Sequence, residues 1–345
     1  MTVKKKMITT KKLWADALSK HALHDFYHTY DYHQLSKKSN EKAYLFEFNL
    51  DDVYIHLPLL IRPIHDNDNM YDATSVYGYP GPLATKFENE KYVLENYAKA
   101  LHKQFVELNI VSVFSRLNPY LPEQEELIKS LGDVETKGQV VNIDLSQTPE
   151  VQRSNYTKNT KRFLKKCHEA FDVRIGKTQK DLDEFIRLYY ENMNRVNADS
   201  YYFFKKDYFK NFMESNDFEA IILIAELKTS KEIVSASFLL KNGDFILYLL
   251  SGTSQDYLHL SPFLLLIVKM GSIGHKDGAI HFNLGGGLGG QNDSLLRFKA
   301  SLSKDFKDFK LWKYVVDPVM YKNLTNKNQS NIKDMQSDFF PLYRV

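Results

Sequence analysis

The sequence predicts an α/β (α+β) protein made of two tandem lobes, each a mixed sheet with helices packed on it. Three observations predict this. β-rich runs alternate with stretches of helical periodicity over most of the chain. Strand pairs joined by turn residues precede strand–helix–strand stretches; hairpins make antiparallel neighbours, whereas crossovers make parallel ones. The element order β-β-β-α-β-α-β then occurs twice, although the halves do not resemble each other residue by residue. Two such lobes imply a cleft between them, a common place for a ligand.

In the first half, runs 43–48 and 53–61 are strands about the turn at Asn49, Leu50, Asp51 and Asp52. Residues 71–84 hold a short strand broken by Tyr77-Gly78-Tyr79-Pro80-Gly81-Pro82. Residues 88–109 read as a helix, with Tyr92, Val93, Tyr97, Leu101, Phe105 and Leu108 at helical spacing. A strand over 110–117, a short helix over 122–131 and a strand over 134–145 follow.

The second half opens on a helix-start signal. Thr148 caps, Pro149 suits the first helical position, and Glu150 meets the positive end of the dipole. The division placed there gives lobes 1–145 and 146–320 and a polar tail 321–345 with little to specify its conformation. Helices over 152–170, 182–194 and 206–214 lead to strands 218–227, 232–241 and 245–252, the last two joined by a tight Asn242-Gly243 turn. Ser261-Pro262 opens a helix to about 273, followed by a strand at 279–284, a helix at 293–303 and a strand at 309–316.

Composition narrows the function. The 345 residues are 43% apolar and 26% charged, enough for a large core and unlike a disordered chain. With 46 basic against 43 acidic residues, the net charge of +3 implies no whole-protein field for nucleic acid. One cysteine, Cys167, excludes an intramolecular disulfide and fits a reducing compartment. It reads as an ordinary helix cysteine, although Lys165 and Lys166 beside it would favour a thiolate. No His and Cys spacing points to a metal. The basic N-terminal stretch has no apolar segment after it, and the longest apolar run, 263–268, is far short of the roughly 20 residues of a membrane span. The expectation is a soluble, cytoplasmic protein. Lysines 4–6 and 11–12 offer a peripheral membrane contact, with a solvated tail as the preferred reading.

The candidate site lies in the strand–loop–helix at 282–299. Gly285-Gly286-Gly287-Leu288-Gly289-Gly290 contains G-x-G-x-x-G between a strand and a helix, the form of a dinucleotide fingerprint. That reading fails, because a fingerprint opens a βαβ series and here only one helix and one strand remain. The phosphate-binding Gly-Lys-Ser/Thr ending is absent too. What survives is that glycines admit a ligand close to the backbone and amides before a helix attract anions; a flexible turn is the plain alternative. In the helix, Leu295, Phe298 and Leu302 form a core stripe, Asp293 is the cap, and Lys299 lies off the stripe. Lys299 is roughly 9 Å along the axis from Asp293, so it should face a different part of the cleft from the loop amides.

Lys158, Lys161, Arg162, Lys165 and Lys166 recur at three- and four-residue steps and make one basic helix face. It is either a dock for the phosphates of tRNA, a nucleotide or coenzyme A, or a solvated face. Residues 192–203 crowd polar, cationic and aromatic groups at a helix end, as site-lining loops and core aromatics both do. His281 reads as a satisfied histidine, and no Ser/His/Asp or paired-carboxylate arrangement emerges.

Several of these runs carry a resemblance: Phe282-Asn283-Leu284-Gly285-Gly286-Gly287; Asp293 to Phe298-Lys299; Tyr248 to Thr253 with Ser261-Pro262; the helix with Asn155, Lys161 and Arg162; and Tyr77 to Pro82. They resemble the Fem-type aminoacyltransferases and the GNAT-like acyltransferases, over roughly residues 40–315. The resemblance implies two GNAT-like lobes in tandem and transfer of an acyl or aminoacyl group onto an amine. It makes Lys299 the residue that stabilises developing negative charge. It places Arg195, Tyr201, Tyr248, Asn283 and Phe298 on the substrate, and Gly285, Gly286, Gly287, Lys161 and Arg162 on the donor. No bound cofactor is implied: the donor is aminoacyl-tRNA or acyl-coenzyme A, and the acceptor is an amine, lipid-linked or nucleotide-linked. One branch of the family carries a long heptad-patterned helical arm, which this chain lacks.

The expected function is therefore transfer onto a cell-envelope precursor, as in peptidoglycan synthesis, or onto an amino sugar. Two alternatives stand beside it: a coenzyme A-dependent N-acetyltransferase of a small amine or nucleotide sugar, and a non-catalytic binding protein on the same fold.

Overall fold

A computed structural model of the chain describes residues 3–64, 69–85, 90–327 and 339–344. The strands are β1 (Lys4–Ile8), β2 (Lys42–Leu50), β3 (Val53–Pro63), β4 (Tyr71–Thr74), β5 (Leu83–Ala84), β6 (Ile110–Arg116), β7 (Asp133–Asp144), β8 (Phe171–Gly176), β9 (Glu219–Leu227), β10 (Ile233–Asn242), β11 (Phe245–Thr253), β12 (His281–Asn283) and β13 (Asp305–Val315). The helices are α1 (Lys11–Leu18), α2 (Tyr30–Ser36), α3 (Glu90–Glu107), α4 (Glu123–Ile128), α5 (Pro149–Ser154), α6 (Lys158–Ala170), α7 (Gln179–Arg195), α8 (Lys206–Met213), α9 (Phe263–Lys276), α10 (Ser294–Lys299) and α11 (Pro318–Lys327).

The chain forms two compact units, Met1–Lys137 with Asp308–Val345 and Gly138–Lys307. One strand pattern occurs in both. In the first unit β1, β2, β3 and β4 run antiparallel in that order, β6 lies parallel to β4, and residues 311–315 close the sheet antiparallel to β6. In the second, β8, β9, β10 and β11 run antiparallel, β12 lies parallel to β11, and residues 142–144 close it antiparallel to β12. A crossover helix makes each parallel step, α3 before β6 and α9 before β12. The expected mixed sheets with packed helices are borne out.

The expected domain limits, 1–145, 146–320 and 321–345, differ from these units, and the closing strands explain why. β13 follows the second unit in sequence yet completes the first unit's sheet, so the first unit takes back the chain from Asp308. Alternation marks a segment as a strand but says nothing of which edge it joins. The polar tail also has structure. Residues 318–327 are helical, and Leu324 and Tyr343 pack with Val111. Tyr343 OH meets Ser112 Oγ at 2.7 Å, and Arg344 binds the buried Asp72 carboxylate. Residues 328–338 lie outside the described residues.

Three local expectations change as well. Lys4, Lys5 and Lys6 stand in β1, paired with β2, and not in a loose tail. The single helix expected over 152–170 is broken into α5 and α6, with Thr157 capping α6 through the Thr160 amide while its own N–H donates to the Ser301 carbonyl at 2.9 Å. Residues 171–176, not anticipated as a strand, form the edge strand β8.

Candidate active site

β11 and β12 run parallel over three residues only, with Phe245, Ile246 and Leu247 opposite His281, Phe282 and Asn283. Beyond that point β11 continues to Thr253 along β10, while the chain after Asn283 turns into the glycine loop. The carboxyl ends of two parallel strands part here, which is where open α/β sheets bind ligands. Leu250 pairs with Phe238 and Tyr248 with Leu239, so Leu249 is an extra residue that bulges β11 beside Tyr248. Bulges of this kind re-aim neighbouring side chains.

The loop is held by backbone pairing and by two polar side chains. Leu284 N–H donates to the Val141 carbonyl, and Val141 N–H donates back to Gly285. Asn283 is buried, and its Oδ1 accepts the Gly285 N–H at 2.7 Å. A Cβ on Gly286 would lie 2.5 Å from the Gln139 carbonyl oxygen, so only glycine lets the loop pass this close to β7. Asp293 caps α10 as expected: it takes the Leu296 N–H on Oδ1 and the Leu288 N–H on Oδ2, both at 2.8 Å. The anion attracted to these amides is thus one of the protein's own carboxylates.

Lys299 corrects the expectation made for it. It is buried, 7% exposed, on the face that carries Leu296, whereas Leu295 is 44% exposed. The two stripes differ by one position, and a six-residue helix has too few turns for periodicity to choose between them. Helical side chains lean toward the N-terminus, so the lysine reaches back along α10. Its Nζ donates to the Gly286 carbonyl at 2.7 Å and stands 5.9 Å from the centre of the Tyr248 ring. Phe263 lies 5.0 Å from Tyr248 and 6.0 Å from Phe298, ring centre to ring centre, and Tyr248 OH meets Ser251 Oγ at 2.8 Å. Burial in this aromatic setting lowers the Lys299 pKa to about 8, against an opposing pull from the Asp293 charge. The result is an ammonium at neutral pH, tethered by one bond and able to donate others.

The other candidates lie apart from this cluster. Arg195, at the end of α7, donates to the Thr253 carbonyl at 3.2 Å, to Gln255 Oε1 at 3.4 Å and to Asn192 Oδ1 at 2.5 Å. Thr253 is roughly 16 Å along β11 from Tyr248, and none of these bonds reaches Lys299. The backbone of Tyr201 sits in the 3-10 turn Ser200–Tyr202, and its side chain lies outside the described residues. On the exposed face of α6, Lys161 Nζ donates to the Ser154 carbonyl and Arg162 stacks on Phe163. Lys161 edges an open groove of about 540 Å³ floored by Tyr156, Leu164 and Val268. The residues assigned to the donor therefore divide between the loop beside Lys299 and the outer face of α6. Sequence reading missed Phe263 and Ser251, although Phe263 directly follows the helix start at Ser261-Pro262 and Ser251 lies in the quoted Tyr248 run.

Two side groups resolve plainly. Cys167 is buried, its Sγ donates to the Leu260 carbonyl at 3.0 Å, and burial pushes the thiol up to about 11, far from a thiolate at neutral pH. His281 stacks on Phe245, and burial lowers its pKa. Among the described residues, no group of three or more His, Cys, Asp or Glu is placed to hold a metal ion, and no helix is long and apolar enough to cross a membrane.

A single mixed-sheet pattern, present twice and parted at its parallel strands, defines a protein of two tandem α/β units of one fold. Residues 152–299, from α5 to Lys299, match the acetyltransferase (GNAT) domain family. No curated protein matches the chain in sequence. Among solved structures, FemX superposes with a TM-score of 0.72 at 12% identity over 93% of this chain and 99% of that one. The C-terminal domain of a putative lysylphosphatidylglycerol synthetase from Agrobacterium fabrum gives 0.54 at 10% identity over 92% and 96%. A tandem GNAT protein from the clavulanic acid biosynthesis pathway gives 0.50 at 8% over 90% and 98%. At such identities the likeness is one of fold. The chain thus has a tandem GNAT-like fold, with residues 152–299 of its second unit matching the GNAT domain family, and the resemblance to Fem-type and GNAT-like acyltransferases is borne out. Domain and fold together support acyl or aminoacyl transfer as its chemistry.

Proposed function

We propose that this protein transfers an aminoacyl or acyl group onto an amine of a cell-envelope precursor or amino sugar, with Lys299 stabilising the negative charge that develops on the reacting carbonyl oxygen. One observation carries the reading: a buried ammonium, tethered to a loop carbonyl, stands where β11 and β12 part. The acceptor nitrogen attacks the carbonyl carbon of an ester or thioester, and the charge moves to oxygen. The C–O or C–S bond then breaks as the carbonyl re-forms. A fixed N–H donor in a dry site stabilises that oxyanion far more than water does. The amine must also lose a proton. No side chain is assigned as base; the proton passes within the substrates to the departing oxygen or sulfur, so the leaving group departs as an alcohol or thiol.

Asn283 supports the site by fixing Gly285, and Gly285, Gly286 and Gly287 line the approach of the donor. Tyr248 and Phe298 form the aromatic wall. Arg195, with Tyr201, holds an acidic or phosphorylated part of the acceptor remote from the reacting carbon. Lys161 and Arg162 meet phosphates of the donor. The fold shared with FemX and with a lysylphosphatidylglycerol synthetase domain supports aminoacyl transfer in the cytoplasm from charged tRNA to an envelope acceptor, lipid-linked or nucleotide-linked.

A coenzyme A-dependent N-acetyltransferase is the second reading, favoured by the GNAT match to residues 152–299. Mass spectrometry of products from mixed charged tRNAs or acetyl-coenzyme A, each with amine acceptors, separates the two. Product from neither donor, with a folded protein, would leave the non-catalytic binding reading. Full transfer by Lys299→Ala would remove the role given to that lysine.

A further inference from the structure

The first unit has the same parting of parallel strands as the second. β4 and β6 pair with Ala73 opposite Val113 and Thr74 opposite Phe114, and beyond these residues the chains diverge. Tyr77 lies three residues past Thr74, and Arg116 two past Phe114. The half-buried Arg116 guanidinium lies 5.6 Å from the Tyr77 ring centre and 5.2 Å from that of Phe114, and it makes no hydrogen bond or ion pair among the described residues. Its five N–H donors are aimed by two rings and satisfied by no acceptor among the described residues.

The backbone beneath is fixed. Ser75 N–H donates to the Phe114 carbonyl, Tyr32 OH to the Tyr77 carbonyl at 2.7 Å, and Gln124 Nε2 to the Pro80 carbonyl at 2.8 Å. Gly78 has φ +115°, and a Cβ there would stand 1.9 Å from the Tyr27 ring, so the turn after Tyr77 is locked against that ring. The side chain of Tyr77 nevertheless remains 61% exposed. A large ring presented to solvent on a rigid backbone beside an unbonded arginine is how a ligand-binding surface is built, since rigid aromatics and arginines carry most binding energy.

We infer that Tyr77 and Arg116 form a binding site in the first unit for an oxyanion, carboxylate or phosphate, carried by a planar ring. The guanidinium fork takes two oxygens side by side, and the exposed ring of Tyr77 stacks the ring of the ligand. The inference stands independently of the transfer reading and of Lys299.

Isothermal titration of the full chain with phenyl phosphate, benzoate, inorganic phosphate and acetate tests it. Phenyl phosphate or benzoate should bind about fivefold or more tighter than its ring-less counterpart. Arg116→Gln should lose about tenfold or more, and Arg116→Lys should recover only part. Tyr77→Ala should erase the advantage of the ring and retain ring-less binding. Whichever of phosphate or carboxylate is preferred identifies the natural group. Binding unchanged in Arg116→Gln, binding lost in Lys299→Ala instead, or no binding of any probe overturns the inference. Should Arg116→Gln fail to fold, the exposed Tyr77→Ala variant still decides it, since an unchanged ring advantage there is equally fatal.

Discussion

Lys299 Nζ donates to the carbonyl oxygen of Gly286 at 2.7 Å, binding the last residue of α10 to the loop that precedes the helix. Asp293 makes a second link by taking amides from both loop and helix. Loop, cap and lysine thus form one closed turn, in which a short helix sets the position of a buried ammonium.

If Lys299 acts as an oxyanion donor, Lys299→Ala should lower kcat by about 10²–10³ with little change in KM. Only the protonated form donates to an oxyanion, so transfer should fall as pH rises through about 8. A pH–rate profile flat from neutral to strongly alkaline pH would contradict this.

The same lysine should weaken the fold at neutral pH. Its folded pKa of about 8 lies below the unfolded 10.5, so between these values the unfolded chain binds more protons and stability rises with pH. Below that window the deficit is roughly 3 kcal/mol. Lys299→Met should melt several degrees above wild type at pH 7, with the gap closing toward pH 10. A lower melting temperature at pH 7 would show that the Gly286 bond outweighs the burial of charge.

Gly286→Ala should destabilise by about 1–3 kcal/mol, because its Cβ meets the Gln139 carbonyl at 2.5 Å and the loop must move. Movement of the loop also frees Lys299, so activity should fall beyond what the loss of folded protein explains. Gly271→Ala in α9 is the control. Its nearest neighbour stands at 3.7 Å, and it should be neutral or slightly stabilising by denaturant melt.

The first unit should be acid-sensitive. Burial lowers His21 and His28 to about 3 and His33 to about 4, so each binds its proton in the unfolded chain first, and stability falls as pH drops below 6.5. Buried Asp25, raised to about 7, works the other way, favouring the fold below 7 and opposing it above. Three histidines against one aspartate give a slope of roughly 2.7 kcal/mol per pH unit between about pH 6 and 4, and His24 and His56, whose pKa values burial also lowers, act in the same direction. Denaturant melts at pH 7 and 5 measure it. Asp25→Asn should steepen the loss and raise stability at pH 8.

Much of the fold was legible in local sequence. The Asn242-Gly243 turn closes the β10–β11 hairpin with Gly243 at φ +51°, and Asp293 and Thr148 cap the helices they were expected to cap. The doubled element order corresponds to a doubled sheet. In the site, the glycine loop, Lys299 and Tyr248 are neighbours, whereas Arg195 and the α6 cations are held elsewhere.

By itself the sequence determined most of the strands, helices and turns between residues 43 and 316, because periodicity, capping and turn chemistry act within a few residues; it missed the edge strand β8 and the break between α5 and α6. Only tertiary structure decided that β13 returns to the first unit, that Lys4–Lys6 pair with β2, and that α10 buries Lys299 in place of Leu295. These are outcomes of strand pairing and burial between residues far apart in the chain. For a six-residue helix or an edge strand such long-range terms outweigh the local pattern.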